Sequence, residues 1–81
     1  MNNEMIIKYI SQKCKRHRER HNITVPEIAK RSGYSQWNVY DFEHGKRNNM
    51  TLLLCYMSFG LKLSEIEMGV LFNENVHDER P

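Results

Sequence analysis

The stretch that most constrains what this chain can fold into is TVPEIAKRSGYSQWNVYDFEHGKR, residues 24–47. Thr24 is followed three residues later by Glu27, a pairing in which hydroxyl and carboxylate can satisfy the unbonded amides that open a helix. Pro26 is compatible with that start, because a first-turn amide has no acceptor inside the helix. The helix so opened runs to about Ser32, Gly33 supplies the left-handed conformation that closes it, and Ser35 caps another over about 36–44 that Gly45 stops. Ala29, Gly33 and Val39 are separated by four and six residues. Two short helices crossing tightly need just such a set: a small side chain at the crossing, a residue that accepts positive φ in the turn, and an apolar residue facing inward. Ile28, Tyr34 and Phe42 fill the remaining apolar positions.

The rest of the chain reads as helix as well. Ile7, Ile10, Cys14, His17 and His21 recur at steps of three and four, one stripe of a helix over roughly residues 4–21. Arg18 falls at the edge of this stripe while Arg16 and Arg20 face away, so burial of the stripe demands a partner for Arg18. After the loop GKRNN, a fourth helix over about 50–59 is apolar nearly all round, which places it centrally, and Gly60 ends it. Ser64 and Glu67 repeat the capping pattern and open a fifth helix through about Phe72. With no strand pattern and no internal repeat, the expectation is an all-α five-helix domain over residues 1–72, followed by a polar, disordered tail over 73–81.

Eighty-one residues allow one small domain with a modest core, which argues against an elaborate pocket. Cys14 and Cys55 lie in apolar segments without the CxxC or dense even spacing of metal or disulfide frameworks, so they read as reduced core residues of a cytoplasmic protein. The apolar run LLLCYMSFGL is about half a membrane span, and no basic and apolar leader opens the chain. Net charge is only +2, but its distribution is uneven: KCKRHRER holds five Lys or Arg against one Glu, whereas NENVHDERP holds three acids against one Arg. Such a basic run is ordinarily a solvated helix face. No nucleophile, base and orienting group come together in the sequence and no glycine-rich phosphate loop is present, so catalysis has no support.

The pattern Arg18, Thr24, Ile28, Ala29, Gly33, Ser35, Val39, Glu43, Gly45, then Phe59, Gly60 and Leu61, resembles the Cro/phage-repressor (Xre) family of helix-turn-helix proteins over about residues 7–66. The resemblance implies a lambda-repressor-like DNA-binding domain and gives Arg18 a buried ion pair with Glu43. It further implies that helix 3 enters the DNA major groove, with Gln36, Trp37, Tyr40 and Asp41 reading bases. Phosphates would be held by Asn38 and by His44, Lys46 and Arg47 at the end of helix 3 and in the loop after it, aided by the first amides of helices 2 and 3. Gln36 suits an adenine edge, and Trp37 and Tyr40 suit thymine methyls or sugar. The sequence departs from the family at Val25, where Gln is usual, at His17, where an aliphatic residue is usual, and at Trp37, which is bulky for a base-reading position. The expected function is sequence-specific transcriptional regulation, of repressor type, on double-stranded DNA and without a cofactor.

Other readings of the same residues stand beside this one. Trp37, Tyr40 and Tyr34 could grip a partner protein, as in an antirepressor or small inhibitor. Ile66, Met68, Val70, Leu71 and Phe72 lie on more than one face of helix 5, which suggests a homodimer as well as closure of the core, and two-fold DNA sites have half-sites about 34 Å apart. Cys14, His17 and His21 share one helix face where zinc can be imagined with Cys55 as a fourth ligand, but without a CxxC or a full ligand set they read as core and helix-end residues, and no metal is expected.

Overall fold

A computed structural model describes residues 3–77, with side-chain surroundings for 4–73. It is all-helical: α1 spans Asn3–Arg20, α2 Val25–Ser32, α3 Gln36–Glu43, α4 Met50–Cys55 and α5 Glu65–His77, and a π-helical segment, Tyr56–Gly60, continues α4. Ile7, Ile10 and Cys14 of α1 form the core with Ile28, Ala29, Val39, Phe42, Leu52, Leu53, Tyr56, Met57, Leu61, Leu63 and Leu71. The apolar stripes of all five helices therefore meet in one cluster.

Local chemistry sets the helix ends. Thr24 Oγ1 accepts from the Glu27 amide at 3.3 Å, Ser35 Oγ from the Asn38 amide at 3.1 Å and Asn49 Oδ1 from the Leu52 amide at 3.1 Å. The expected reciprocal box at Thr24 is only half made. Glu27 turns instead to Arg31, accepting its Nε at 2.9 Å, whereas Ser64 and Glu67 complete both bonds of theirs. At the end of α3 the Lys46 amide donates to Asp41 O at 2.8 Å and the Gly45 amide to Phe42 O at 3.2 Å, with Gly45 at φ 74°. Asn22 plays the same part after α1 at φ 56°, its neighbour Ile23 donating to Arg18 O at 3.1 Å.

Helix 4 departs most from expectation. Gly60 does not end it; the helix widens and runs through that residue, with the Leu61 amide donating to Tyr56 O at 2.8 Å, and Lys62 at φ 56° makes the left-handed exit. Gly60 is needed for close approach: a Cβ there would lie 3.0 Å from Ser32 Oγ and 3.2 Å from two carbons of Ile28. Side chains of α2 then bond to backbone carbonyls of α4 and the π segment, Arg31 Nη1 donating to Gly60 O at 2.9 Å and Ser32 Oγ to Cys55 O at 3.4 Å. Nor is helix 4 covered all round. Leu52, Leu53, Tyr56 and Met57 are buried, but Met50, Leu54 and Phe59 are exposed and Cys55 is half-buried, because a chain this short has too few elements to cover every face. Helix 5 also passes the expected boundary at Phe72 and takes in Asn73–His77, where no proline or glycine interrupts it; residues 78–81 of the expected tail lie outside the described residues.

Behind these helices sits one polar knot. Arg18 Nε and Nη2 donate to the two carboxylate oxygens of Glu43 at 2.7 and 3.1 Å, Nη1 donates to Ile23 O at 2.8 Å, and the Tyr56 hydroxyl donates to Glu43 Oε2. The Arg18 and Glu43 side chains are 12% and 1% exposed. Burial works to lower the Arg18 pKa, but the hydrogen bonds and charge of Glu43 outweigh it and hold the guanidinium above its ordinary value. Removing one member strands the others without solvent, so Arg18→Met or Glu43→Leu alone should cost about 3–5 kcal/mol in urea unfolding. The triple variant Arg18→Met, Glu43→Leu, Tyr56→Phe should recover most of that loss. Additive single losses would show that the three groups do not act together.

Cys14 and Tyr56 make stability fall in alkali. Burial, helped by the Glu43 carboxylate, pushes the Cys14 thiol up to about 12, and burial with the hydrogen bond to Glu43 pushes Tyr56 up as well. The unfolded thiol ionises at about 8.5, so between the two values the unfolded state binds fewer protons and stability falls as pH rises. The contribution is whole below that range. The urea midpoint should therefore drop above about pH 9, and Cys14→Ala should make the drop shallower by about 1.4 kcal/mol per pH unit. An unchanged slope in that variant would remove the thiol from the account.

Candidate nucleic-acid interface

The same knot determines which way α3 faces. Val39 and Phe42 are fully buried and Glu43 is held by Arg18, so this side of the helix is committed to the core. The 3.6-residue repeat then sends Gln36, Trp37, Tyr40 and His44 to the other side. Trp37 is 80% exposed and Tyr40 47% exposed. Gln36 and His44 are exposed too.

These residues form a surface with local order. Gln36, Trp37 and Tyr40 line a shallow hollow whose fourth wall is Val25, the first residue of α2. Tyr40 stacks on His44 with ring centroids 4.0 Å apart and planes 25° apart, and His44 Nδ1 lies 2.8 Å from Tyr40 O. A carbonyl can only accept, so the proton sits on Nδ1 and Nε2 is left outward. Chemically the face offers an amide that both donates and accepts, two aromatic planes and an apolar hollow between them.

The remaining predicted site residues are more dispersed. Asn38 and Asp41 are half-buried on the flank of the row, so less of each reaches outward than of Gln36 or Trp37. Lys46 and Arg47 are exposed in the loop beyond the helix. At the start of α3 the Asn38 amide is used by Ser35, which leaves the Gln36 and Trp37 amides without an acceptor inside the helix. The start of α2 offers less: Pro26 has no N–H, Glu27 and Ile28 donate to Thr24, and only the Val25 amide remains.

Sequence reasoning missed two features of this face. Val25, which stands where the resembled family usually has Gln, walls the hollow. Beside the end of α3, Gln12, Lys15, Arg16 and Glu19 of α1 share a second hollow with Glu43 and His44, a neighbourhood no local pattern announces because the residues are 24 or more apart in sequence. Along the row Cys14, His17 and His21, Cys14 is buried and His17 and His21 stack with centroids 4.2 Å apart; among the described residues no group of three His, Cys, Asp or Glu is placed to hold a metal ion. Nor, among them, is any helix long and apolar enough to cross a membrane.

No family model, curated protein or solved structure matches this chain. The geometry of the face stands on its own.

If the outward row is for contact and the inward row for folding, the two should separate on substitution. Trp37→Ala and Tyr40→Ala are expected to change unfolding free energy by no more than about 0.5 kcal/mol, whereas Phe42→Ala should cost about 3–5 kcal/mol. A loss above about 2 kcal/mol for Trp37→Ala would place the indole in the core after all.

Proposed function

We propose that the protein is a sequence-specific DNA-binding transcriptional regulator of repressor type, akin to the Xre family, with α3 as the element that enters the major groove. One observation carries the reading: α3 is locked from behind by Arg18 and Glu43 while Gln36, Trp37, Tyr40 and His44 stand exposed along its other side. The chemistry suits base edges. Gln36 can offer donor and acceptor together to adenine, and the apolar hollow between Val25, Trp37 and Tyr40 suits a thymine methyl. Lys46 and Arg47 follow at the end of the helix, where backbone phosphates flank an inserted rod.

A homodimer is part of this reading. Ile66 is 80% and Val70 50% exposed one turn apart on α5, with nothing within 4 Å of where a Cβ on the neighbouring Gly69 would lie, an apolar patch that a second copy could cover. The alternative is a protein-interaction module, favoured by the exposure of Trp37, since exposed aromatics serve as interface anchors.

Selection of bound sites from random duplexes tests the proposal, and the single tryptophan reports on binding directly because it lies on the contact face. Gln36→Ala should weaken the selected site by about 1–3 kcal/mol and leave random DNA unaffected, whereas Lys46→Ala should weaken both alike. Affinity should fall steeply with added salt through counterion release. Folded protein that shows no sequence preference at low salt, or whose Trp37-dependent contact with a protein is insensitive to salt, would favour the interaction module.

A further inference from the structure

Gly45 carries a feature that its turn conformation does not require. A Cβ built there would fall 2.9 Å from Lys8 Cε, 3.1 Å from Cγ and 3.3 Å from Cδ. The outer aliphatic stem of Lys8, from Cγ to Cε, in the first half of α1, therefore passes over the glycine that closes α3. With Cε against Gly45, the ammonium is held at the loop that begins with that residue and continues into Lys46 and Arg47. Lys8 is exposed, and among the described residues no ion pair takes up its charge. Lys15, two turns further along the same face of α1, lies 3.9 Å from Glu19 and is partly neutralised by comparison.

We propose that Lys8 is a phosphate-binding residue, and that α1 and the loop after α3 together form one anion site for the phosphodiester backbone beside the C-terminal end of α3. Its members are Lys8, Lys46 and Arg47. The inference rests on the DNA-binding reading above and deepens it by adding a cation from the far end of the sequence. A lysine stem ordinarily moves freely and spends its charge over a wide volume of solvent. Here the missing side chain at position 45 leaves a floor on which the stem rests, so the Lys8 stem ends beside Gly45, the residue that precedes Lys46 and Arg47. None of the three is taken up by an ion pair among the described residues. A phosphate beside them would meet unspent positive charge, which makes an anion the chemistry this end of α3 fits.

The test is the salt dependence of binding to a mixed-sequence DNA duplex by Lys8→Met, which keeps an unbranched stem over Gly45 and removes only the charge. Lys46→Met and Lys62→Met, the latter in the turn before α5, serve as comparisons. Lys8→Met should weaken binding about three- to tenfold near physiological salt and flatten the plot of log affinity against log salt by about 0.9, as Lys46→Met does, while Lys62→Met leaves the slope unchanged. Thermal unfolding of Lys8→Met should match the parent chain, since the residue is exposed. If Lys46→Met flattens the slope and Lys8→Met does not, Lys8 is no phosphate ligand and the DNA-binding reading survives. If the unsubstituted chain binds no duplex at low salt, both fall together.

Discussion

The fold depends on a guanidinium held against a carboxylate where little water reaches. Arg18 comes from α1, Glu43 from the last position of α3, Ile23 from the connection into α2, and Tyr56 from the segment after α4. Four parts of a very small chain are thereby tied at one point. Burying two charges is expensive, and a well-packed apolar cluster could replace them at similar stability. What apolar side chains lack is direction. The forked guanidinium accepts only one arrangement of its partners, so the rotation of α3 about its own axis is set as firmly as its position.

That rotation matters because α3 has only eight residues, of which Val39, Phe42 and Glu43 are buried. Val39 and Phe42 would pack tolerably over a range of helix rotations, since apolar contact is not directional. With Glu43 pinned, the outward row cannot drift toward the core. Tyr40 is steadied further by its stack on His44, whose ring is itself tied to the helix backbone. A contact surface arranged in advance loses less side-chain freedom on binding, which is where preorganised recognition elements gain affinity.

Much of this was legible in the residues. The turn at Gly33, the caps at Ser35 and Ser64, the inward Val39 and Phe42 and the need of Arg18 for a partner all follow from rules acting over a few positions. What stayed hidden depended on distant neighbours. Gly33 and Gly60 look alike on paper, yet the first has nothing within 4 Å of its missing Cβ and serves the backbone angle, while the second lies against Ile28 and Ser32 and serves contact. The π turn is equally invisible, because its apolar residues satisfy an α pattern just as well and only packing against α2 selects the wider form. The same holds for the candidate site. Gln36, Trp37 and Tyr40 could be read from helical spacing, but Val25 as a wall, and Lys8 across Gly45, required knowing which elements meet.

The distribution of charge bears on the proposed contact with DNA. A net charge of +2 is too small to attract a polyanion by itself. Attraction has to come from placement, and a cation counts most where nothing nearby neutralises it and the low-dielectric body of the protein lies behind it. Arg31 is spent on Glu27 and Gly60, and Arg18 on Glu43, so both work for the fold. Lys46 and Arg47 stand in the open loop, and folding lays the Lys8 stem on Gly45, just before them, from 38 positions before Lys46 in the chain. The cations therefore divide by fold: Arg18 locks α3 from within, while on the proposed reading Lys8, Lys46 and Arg47 are left for an anionic ligand at its end.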